Sequence, residues 1–548
     1  MLSNSAHLGA AMRRVIPLLA IATLLTAAAG CGGDSTSGDA GDARSKTLVY
    51  GVNLKSQGPW DPHVGAVGLD RVVNRAAYDT LVAYAGTDYA KVVPDLAKAW
   101  TVAPDAKTFT FSLDPAAKFA TGRTVTADDV RWSFTRLKNL AGPPSYLAEP
   151  IASVTAPDPA TVVVTLKSPD VSFLRQFVDG HFSVLDKETA TANGATDAAD
   201  AAKTDTATNW LSANSAGSGQ YKIESWTAGS RLVMVKNPNA WRPTSYFEKI
   251  ILQDMPTPDA QLAALKRGEI DLTQPLGQSL LEPLASESKL QVAGSPGLTW
   301  FLLGMTRAPK TDPNLAKQQV QEAIHLALDY RGIGQLAEGV QQWYGMIPPF
   351  IPGGVAEQDA PKQDVEKAKR LLAEAGLSGG FDTELCTTTS TDHQPSALDL
   401  AQKVQADLKN VGIRVKIDGQ ENSAFLTKYR AAQCKMVLTI DGPAFPDPSH
   451  IVPYLPDGAR ALRMGWSSAN PGWDGAKYSA AAKDALTRTD ETQRVQLWHD
   501  VVAGMNTDGP WIGLASVPYK FAADARIKGF DQATNQVVLL DVAALRRD

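Results

Sequence analysis

The stretch from about residue 300 onwards constrains the fold most. "AKQQVQEAIHLALD" and "DVEKAKRLLAEAG" carry apolar residues at helical spacing, the second stopped by Gly376. Strand-like "TELCTTT", helical "ALDLAQKVQADLKNVG", strand-like "RVKID", helical "SAFLTKYRAA" and strand-like "KMVLTID" then follow in turn. A β-α-β-α-β order calls for parallel strands with helices on the sheet faces, because parallel neighbours need a crossover connection. A last long helix, "ETQRVQLWHDVVAGMN" (491–506), precedes strand-like "WIGLA".

Before residue 300 the pattern differs. "KTLVYGVNL" alternates at Leu48, Tyr50 and Val52, and "TFTFSL" (108–113) and "TVVVTL" (161–166) share that period of two. Between the latter two, "TADDVRWSFTRLKNL" reads as a helix. Thr126 stands three residues before Asp129, a capping-box spacing, and Val130, Phe134 and Leu137 fall on one face. "QYKIESW" and "RLVMVKN" read as a hairpin about Ala228-Gly229, and helix "DAQLAALKRG" (259–268) leads into "IDL". Residues 187–219, rich in Ala, Thr, Asp and Asn, read as mostly surface-exposed. A body of about 500 residues exceeds what one hydrophobic core supports, so at least two lobes are expected.

The N-terminus has the layout of an export signal. Arg13 and Arg14 precede an apolar run, Val15–Gly30, that is too short for a spanning helix of about 20 residues. Ala28-Ala29-Gly30-Cys31 resembles a bacterial lipobox, with Ala28 where leucine is usual. Residues 1–30 are therefore expected to be a lipoprotein signal peptide, with Cys31 as the lipid anchor. Residues 31–45, mostly Gly, Ser and Asp, then read as a flexible tether. The expected location is the outer face of the cytoplasmic membrane.

Charge and motif content narrow the chemistry. Without the first 31 residues the chain has 51 basic and 58 acidic side chains, a net charge of −7, which does not favour nucleic acid. The seven histidines are scattered, and HExxH, CxxC and GxxxxGK[ST] are absent, so no metal site or other cofactor is expected. Gly376-Leu377-Ser378-Gly379-Gly380 matches GxSxG, but a helix precedes it and a strand follows, the inverse of a nucleophile elbow. No catalytic residue is assigned. Cys386 and Cys434 are left to form a disulfide or to remain buried thiols.

Several fragments, taken in order, resemble one family. "WDPH" (60–63), "AAYDTLVAY" (76–84), "VVPDLAKAWTVAPDAKTFTFSL" (92–113) and "KFATGRTVTADDVRWSF" (118–134) come first. "GSGQYKIESW" with "VKNPNAW", "ALKRGEIDL", "AKRLLAEAG" and "FPDP" follow. Together they resemble the bacterial extracellular solute-binding proteins of family 5, which serve ABC importers. The resemblance implies an α/β, two-lobed periplasmic-binding fold with a hinge and an inserted subdomain. Lobe one would comprise residues 46–300 plus 512–548, with residues 85–200 as the insert, and lobe two residues 301–511. It implies a monomeric binding protein that captures a small solute, oligopeptide-like first of all, and delivers it to an ABC permease. An oligosaccharide or metal chelate as ligand, a sensory role, and a surface hydrolase are the alternatives.

Ligands of open α/β sheets lie beyond the carboxyl ends of the strands. That rule selects "SQGPW" with Ser56 and Gln57, "TTSTDHQ" with Ser390, Asp392 and His393, and "DGPAFPDP" with Asp441. Peptide binders of the family place an aspartate three residues before the DP motif; here that position is Ala444, with Asp441 three residues further back. Asp441 is read either as a ligand contact or as the residue that orders its own turn. Trp300 and Trp466 are candidates for stacking on a ligand, and core packing is the other reading for each.

Overall fold

A computed structural model of the chain describes residues 44–548 apart from 56, 66, 67, 87, 244, 296, 337–339, 391–394, 443, 444, 470–474, 517 and 536. Strand β1 (Thr47–Val52) points Leu48, Tyr50 and Val52 into the core, as their alternation predicts. Helix α1 (Asp70–Ala77) follows, then a hairpin of β2 (Val82–Ala85) and β3 (Asp88–Pro94).

The inserted subdomain begins with β4 (Ala97–Val102), β5 (Thr108–Leu113), helix α2 (Ala127–Asn139), β6 (Ile151–Asp158) and β7 (Thr161–Leu166). Its strands form one antiparallel sheet in the order β4-β5-β7-β6. The α2 capping box is present: the Thr126 N–H donates to Asp129 Oδ2 at 2.9 Å. Val130, Phe134 and Leu137 then face the core, where Phe134 stacks on Phe177 at 5.6 Å between ring centroids. A short helix α3 (Phe173–Gln176) adds Phe173 to that cluster. Residues 187–219 are solvent-accessible at most positions, as composition predicts, but they are also ordered and partly packed. They form helices Lys187–Ala192, Ala201–Thr204 and Thr208–Ala213, which bury Ala190, Ala207 and Leu211 against Tyr78 and Trp132. Alanine packs closely without raising local hydrophobicity, so the insert's own packing carries on past residue 200.

The chain returns through β8 (Tyr221–Thr227), β9 (Arg231–Lys236), β10 (Lys249–Asp254), β11 (Leu272–Thr273) and β12 (Leu290–Ser295). β8 and β9 make the expected hairpin. The first sheet has the order β12-β19-β11-β1-β10-β9-β8, where β19 (Tyr519–Asp524) comes from the C-terminal return. β1 runs parallel to both β10 and β11.

The second sheet begins directly after β12. It contains β13 (Trp300–Met305), β14 (Gln341–Gln342), β15 (Phe381–Thr388), β16 (Ile413–Gln420), β17 (Met436–Asp441) and β18 (Trp511–Ser516), in the order β14-β18-β13-β17-β15-β16. β15 is parallel to β16 and β17, as the alternation requires, whereas β13 is antiparallel to its neighbours β17 and β18. Helices α4 (Gln318–Ala327), α5 (Val365–Glu374) and α6 (Ala397–Lys409) lie along it in sequence, followed by α7 (Asn422–Arg430) and α8 (Glu491–Asp508). β13 is buried on both faces: Phe301, Leu303 and Met305 join one core, Trp300 and Leu302 another. Gly304 is required there, since a Cβ would meet the Trp511 ring at 2.5 Å.

The molecule is thus α/β and two-lobed, with an inserted subdomain in lobe one. The chain changes sheet between β12 and β13 and again between β18 and β19. "WIGLAS" is buried throughout and pairs with β13 and β14, which places all of β18 in lobe two. Among the described residues, no helix is long and apolar enough to cross a membrane.

Candidate functional site

β1 delivers the chain to the first predicted stretch. Ser56 lies outside the described residues, and Gln57 is half-buried, its N–H donating to Leu54 O at 3.3 Å. Trp60 is fully buried, edge-on to Trp226 at 5.2 Å. The next residues build a buried polar network. Arg136 of α2 donates two hydrogen bonds to Asp61, at 3.0 and 2.7 Å, and two to Asp205, at 2.8 and 3.1 Å. Arg136 also faces His63 Nδ1 at 3.2 Å, while His63 Nε2 lies 3.1 Å from Ser183 O. Burial, then the Arg136 charge, push the His63 pKa down to about 3, so its Nδ1 accepts and its Nε2–H donates. Burial opposes ionisation of Asp61, but Arg136 holds its carboxyl below the usual range.

Helix α1 contributes a second polar group. Arg71, Asn74, Arg75 and Tyr78 are spaced at i, i+3, i+4 and i+7. With Tyr84 and Asn535 they line a cavity of about 50 Å³. Arg75 is held by Asp95 at 2.8 Å and Asp541 at 3.1 Å. At the start of α1, burial raises the Asp70 pKa to about 6 against the opposing charges of His181 and Arg71. His181 Nδ1 lies 2.6 Å from Asp179, and Nε2 lies 3.1 Å from Gly65 O. Burial opposes the charged forms of this pair too, yet each partner favours ionisation of the other: Asp179 is lowered and His181 raised.

On lobe two, the ends of β15 and β17 supply the wall. Ser390 is half-buried, its N–H donating to Thr388 Oγ1 at 3.1 Å; Asp392 and His393 lie outside the described residues. Asp441 ends β17, where its carboxylate accepts from the Tyr454 hydroxyl, from Arg460 at 2.7 Å and from the Gly442 N–H at 2.9 Å. Trp300 stands opposite Asp441 in the β13–β17 register, but it is only 1% exposed and stacks on Trp343 at 4.9 Å. Trp466 is equally buried, edge-on to Tyr478 at 5.9 Å. Both tryptophans therefore present no open ring face for a ligand in this conformation, because lobe two uses them as core. Cys386 of β15 and Cys434 are joined in a disulfide, with Cα atoms 5.8 Å apart. Glu384 and Asp418 come close to Cys386, but the Lys428 ammonium already sits on both carboxylates, at 2.7 and 2.6 Å.

Tyr146 is 59% exposed at the edge of the insert, and its hydroxyl feels Asp179 and Arg71 from lobe one and Asp441 from lobe two. Arg460 pairs with Asp441, and the Asp441 charge also acts on Tyr146; the strand-end rule selects neither Arg460 nor Tyr146. The helical spacing of polar residues in "DRVVNRAAY" was the available signal for Arg71 and Asn74. Tyr146 and Arg460 lie in segments with no such pattern.

Comparison with known proteins completes the description. Residues 91–461 match the model of the bacterial extracellular solute-binding proteins, family 5 Middle. The chain is 28% identical over 478 residues to the probable D,D-dipeptide-binding periplasmic protein DdpA of Escherichia coli, covering 86% of this chain and 88% of that one. It superimposes on HbpA2 from Haemophilus parasuis with a TM-score of 0.78 at 23% identity, over 92% of this chain and all of the other. DppA from Helicobacter pylori in complex with the peptide STSA gives 0.69 at 22% identity, over 93% and 99%. A match over most of the chain, on a two-lobed α/β fold, makes this protein a member of the bacterial extracellular solute-binding proteins of family 5.

Proposed function

We propose that the protein is an extracytoplasmic receptor that closes on a peptide-like solute and delivers it, without chemical change, to an ABC permease. Export and anchoring would use the signal of residues 1–30 and a diacylglycerol on Cys31. The observation that carries the binding role is the family match over most of the chain, on a fold of two separate sheets between which a solute would be held. In this reading Tyr146 and Arg71 would face the solute from one lobe, and Asp441 with its partner Arg460 from the other. The peptide class is supported by DdpA, whose name specifies a D,D-dipeptide, and by the neighbour solved with STSA. Burial of Trp300 and Trp466 favours a peptide over a stacked sugar.

Native mass spectrometry of the purified body, followed by calorimetry of the recovered ligand, tests this reading. A peptide-like ligand should bind wild type tightly and Asp441→Asn more weakly, by about 1.5 to 3 kcal/mol if it donates to that carboxylate. An unchanged affinity with a lowered melting temperature would restrict Asp441 to holding Tyr454 and Arg460. A non-peptide ligand, with no heat from di- and tripeptides, would overturn the substrate class.

A further inference from the structure

The insert and lobe two also meet at a set of contacts that lie on neither crossing. The Val171 N–H donates to Leu486 O at 2.8 Å, and the Tyr89 ring lies 6.1 Å from that of Phe350. Between lobes the charged contact is Arg175 of α3. Its Nη2 donates to Glu491 at 2.8 Å, and its Nε lies 3.3 Å from Asp447. Its side chain is 10% exposed, and that of Asp447 is fully buried.

Asp447 does not depend on this contact. Arg494, on the same lobe, donates two hydrogen bonds to it at 2.6 and 2.5 Å, and the Ser449 N–H donates a third at 2.9 Å. Parting the lobes would leave the "FPDP" turn fully paired with Arg494. The lobe-two partners are thus held by Arg494 independently of Arg175, and the Arg175 contacts with Asp447 and Glu491 span the two lobes. A buried, charge-assisted contact that exists in one of two states shifts the equilibrium between them by its own free energy.

We infer that Arg175 is a closure latch, a residue that sets solute affinity from outside the cleft by stabilising the closed arrangement of the lobes. This rests on the reading of the protein as a receptor that closes on its solute. When the binding-competent state is only partly populated, apparent affinity falls in proportion to that population.

Small-angle scattering of the ligand-free mature protein tests the latch directly. Arg175→Met should increase the radius of gyration, and Arg175→Lys should recover part of the compaction. Glu491→Gln, changed on the half-exposed partner, should expand the protein in the same direction without any risk to the insert's fold. Melting temperatures identify a variant that is merely unfolded. An unchanged radius in both Arg175→Met and Glu491→Gln would overturn the latch. Calorimetry with a panel of alanine di- and tripeptides separates this from the substrate reading. Weakening of a bound peptide by roughly 5- to 10-fold in Arg175→Met supports the latch. Expansion with no peptide bound supports the latch while removing the peptide class, and equal affinities with equal radii reject the latch while keeping it.

Discussion

His63 shows how a residue's chemistry can be set by a partner far away in the chain. "WDPH" reads as a family fragment, yet nothing in it announces Arg136, 73 residues on, whose guanidinium faces the imidazole. Burial and that charge hold the folded pKa at about 3, against 6.5 as the ordinary value. Between those limits the unfolded chain binds the proton and the folded chain does not. Stability therefore rises with pH across this window and is lost as pH falls below 6.5. The expected loss from this group is about 2 kcal/mol at pH 5 relative to pH 7. His63→Gln should start from a lower stability but show a flatter dependence, measured by urea melts at both pH values. If wild type and variant lose the same amount, His63 is not the group responsible.

Elements with strong internal patterns were legible from sequence, and those held by distant partners were not. β5 and β7 follow their period of two, and α2 starts at its capping box. The short helices of residues 187–213 escaped because their buried face is mostly alanine, whose pattern resembles that of an exposed segment. Only the order β15–β16–β17 could be inferred for the second sheet, since antiparallel pairing of β13 with β17 joins residues more than 130 apart. The disulfide belongs to this scale as well. Export and an even cysteine count left it open, and the structure ties β15 to the chain just ahead of β17 across a separation of 48 residues. Closing a loop of that length is worth about 4 kcal/mol in the chain-entropy model. Alkylation of the denatured, unreduced protein should label neither Cys386 nor Cys434, and a double Cys→Ala variant should lose stability of that order in lobe two. Two labelled thiols would rule out the bridge.

At the scale of the whole molecule, change of sheet is more informative than change of pattern. The change of sheet between β12 and β13 coincides with a new alternation in the sequence, whereas β18 looks like any apolar strand, and only its pairing with β13 and β14 assigns it to the second sheet. The strand-end rule could name Asp441 but not its partners, because Tyr454 and Arg460 reach its carboxylate from later segments of the chain. The same architecture predicts the unfolding behaviour. The two clusters that cover the second sheet are built from lobe-two residues, and the cluster under β1 from lobe-one residues. Among the described residues the lobes meet through the Arg175 contacts, the Val171–Leu486 and Tyr84–Pro446 hydrogen bonds and Phe350 beside Tyr89, while each keeps its own core. Units with separate cores and a small interface unfold as separate cooperative transitions. Calorimetry of the ligand-free protein should therefore show two overlapping transitions. A solute that touches both walls binds only when both are folded, so at 100 times its Kd it adds about 2.7 kcal/mol to the state in which both are intact. Addition of the ligand recovered by native mass spectrometry should raise the lower transition towards the upper and merge them. If the ligand moves the transition of one lobe and leaves the other in place, the solute sits on that lobe alone and the cleft is not its binding site.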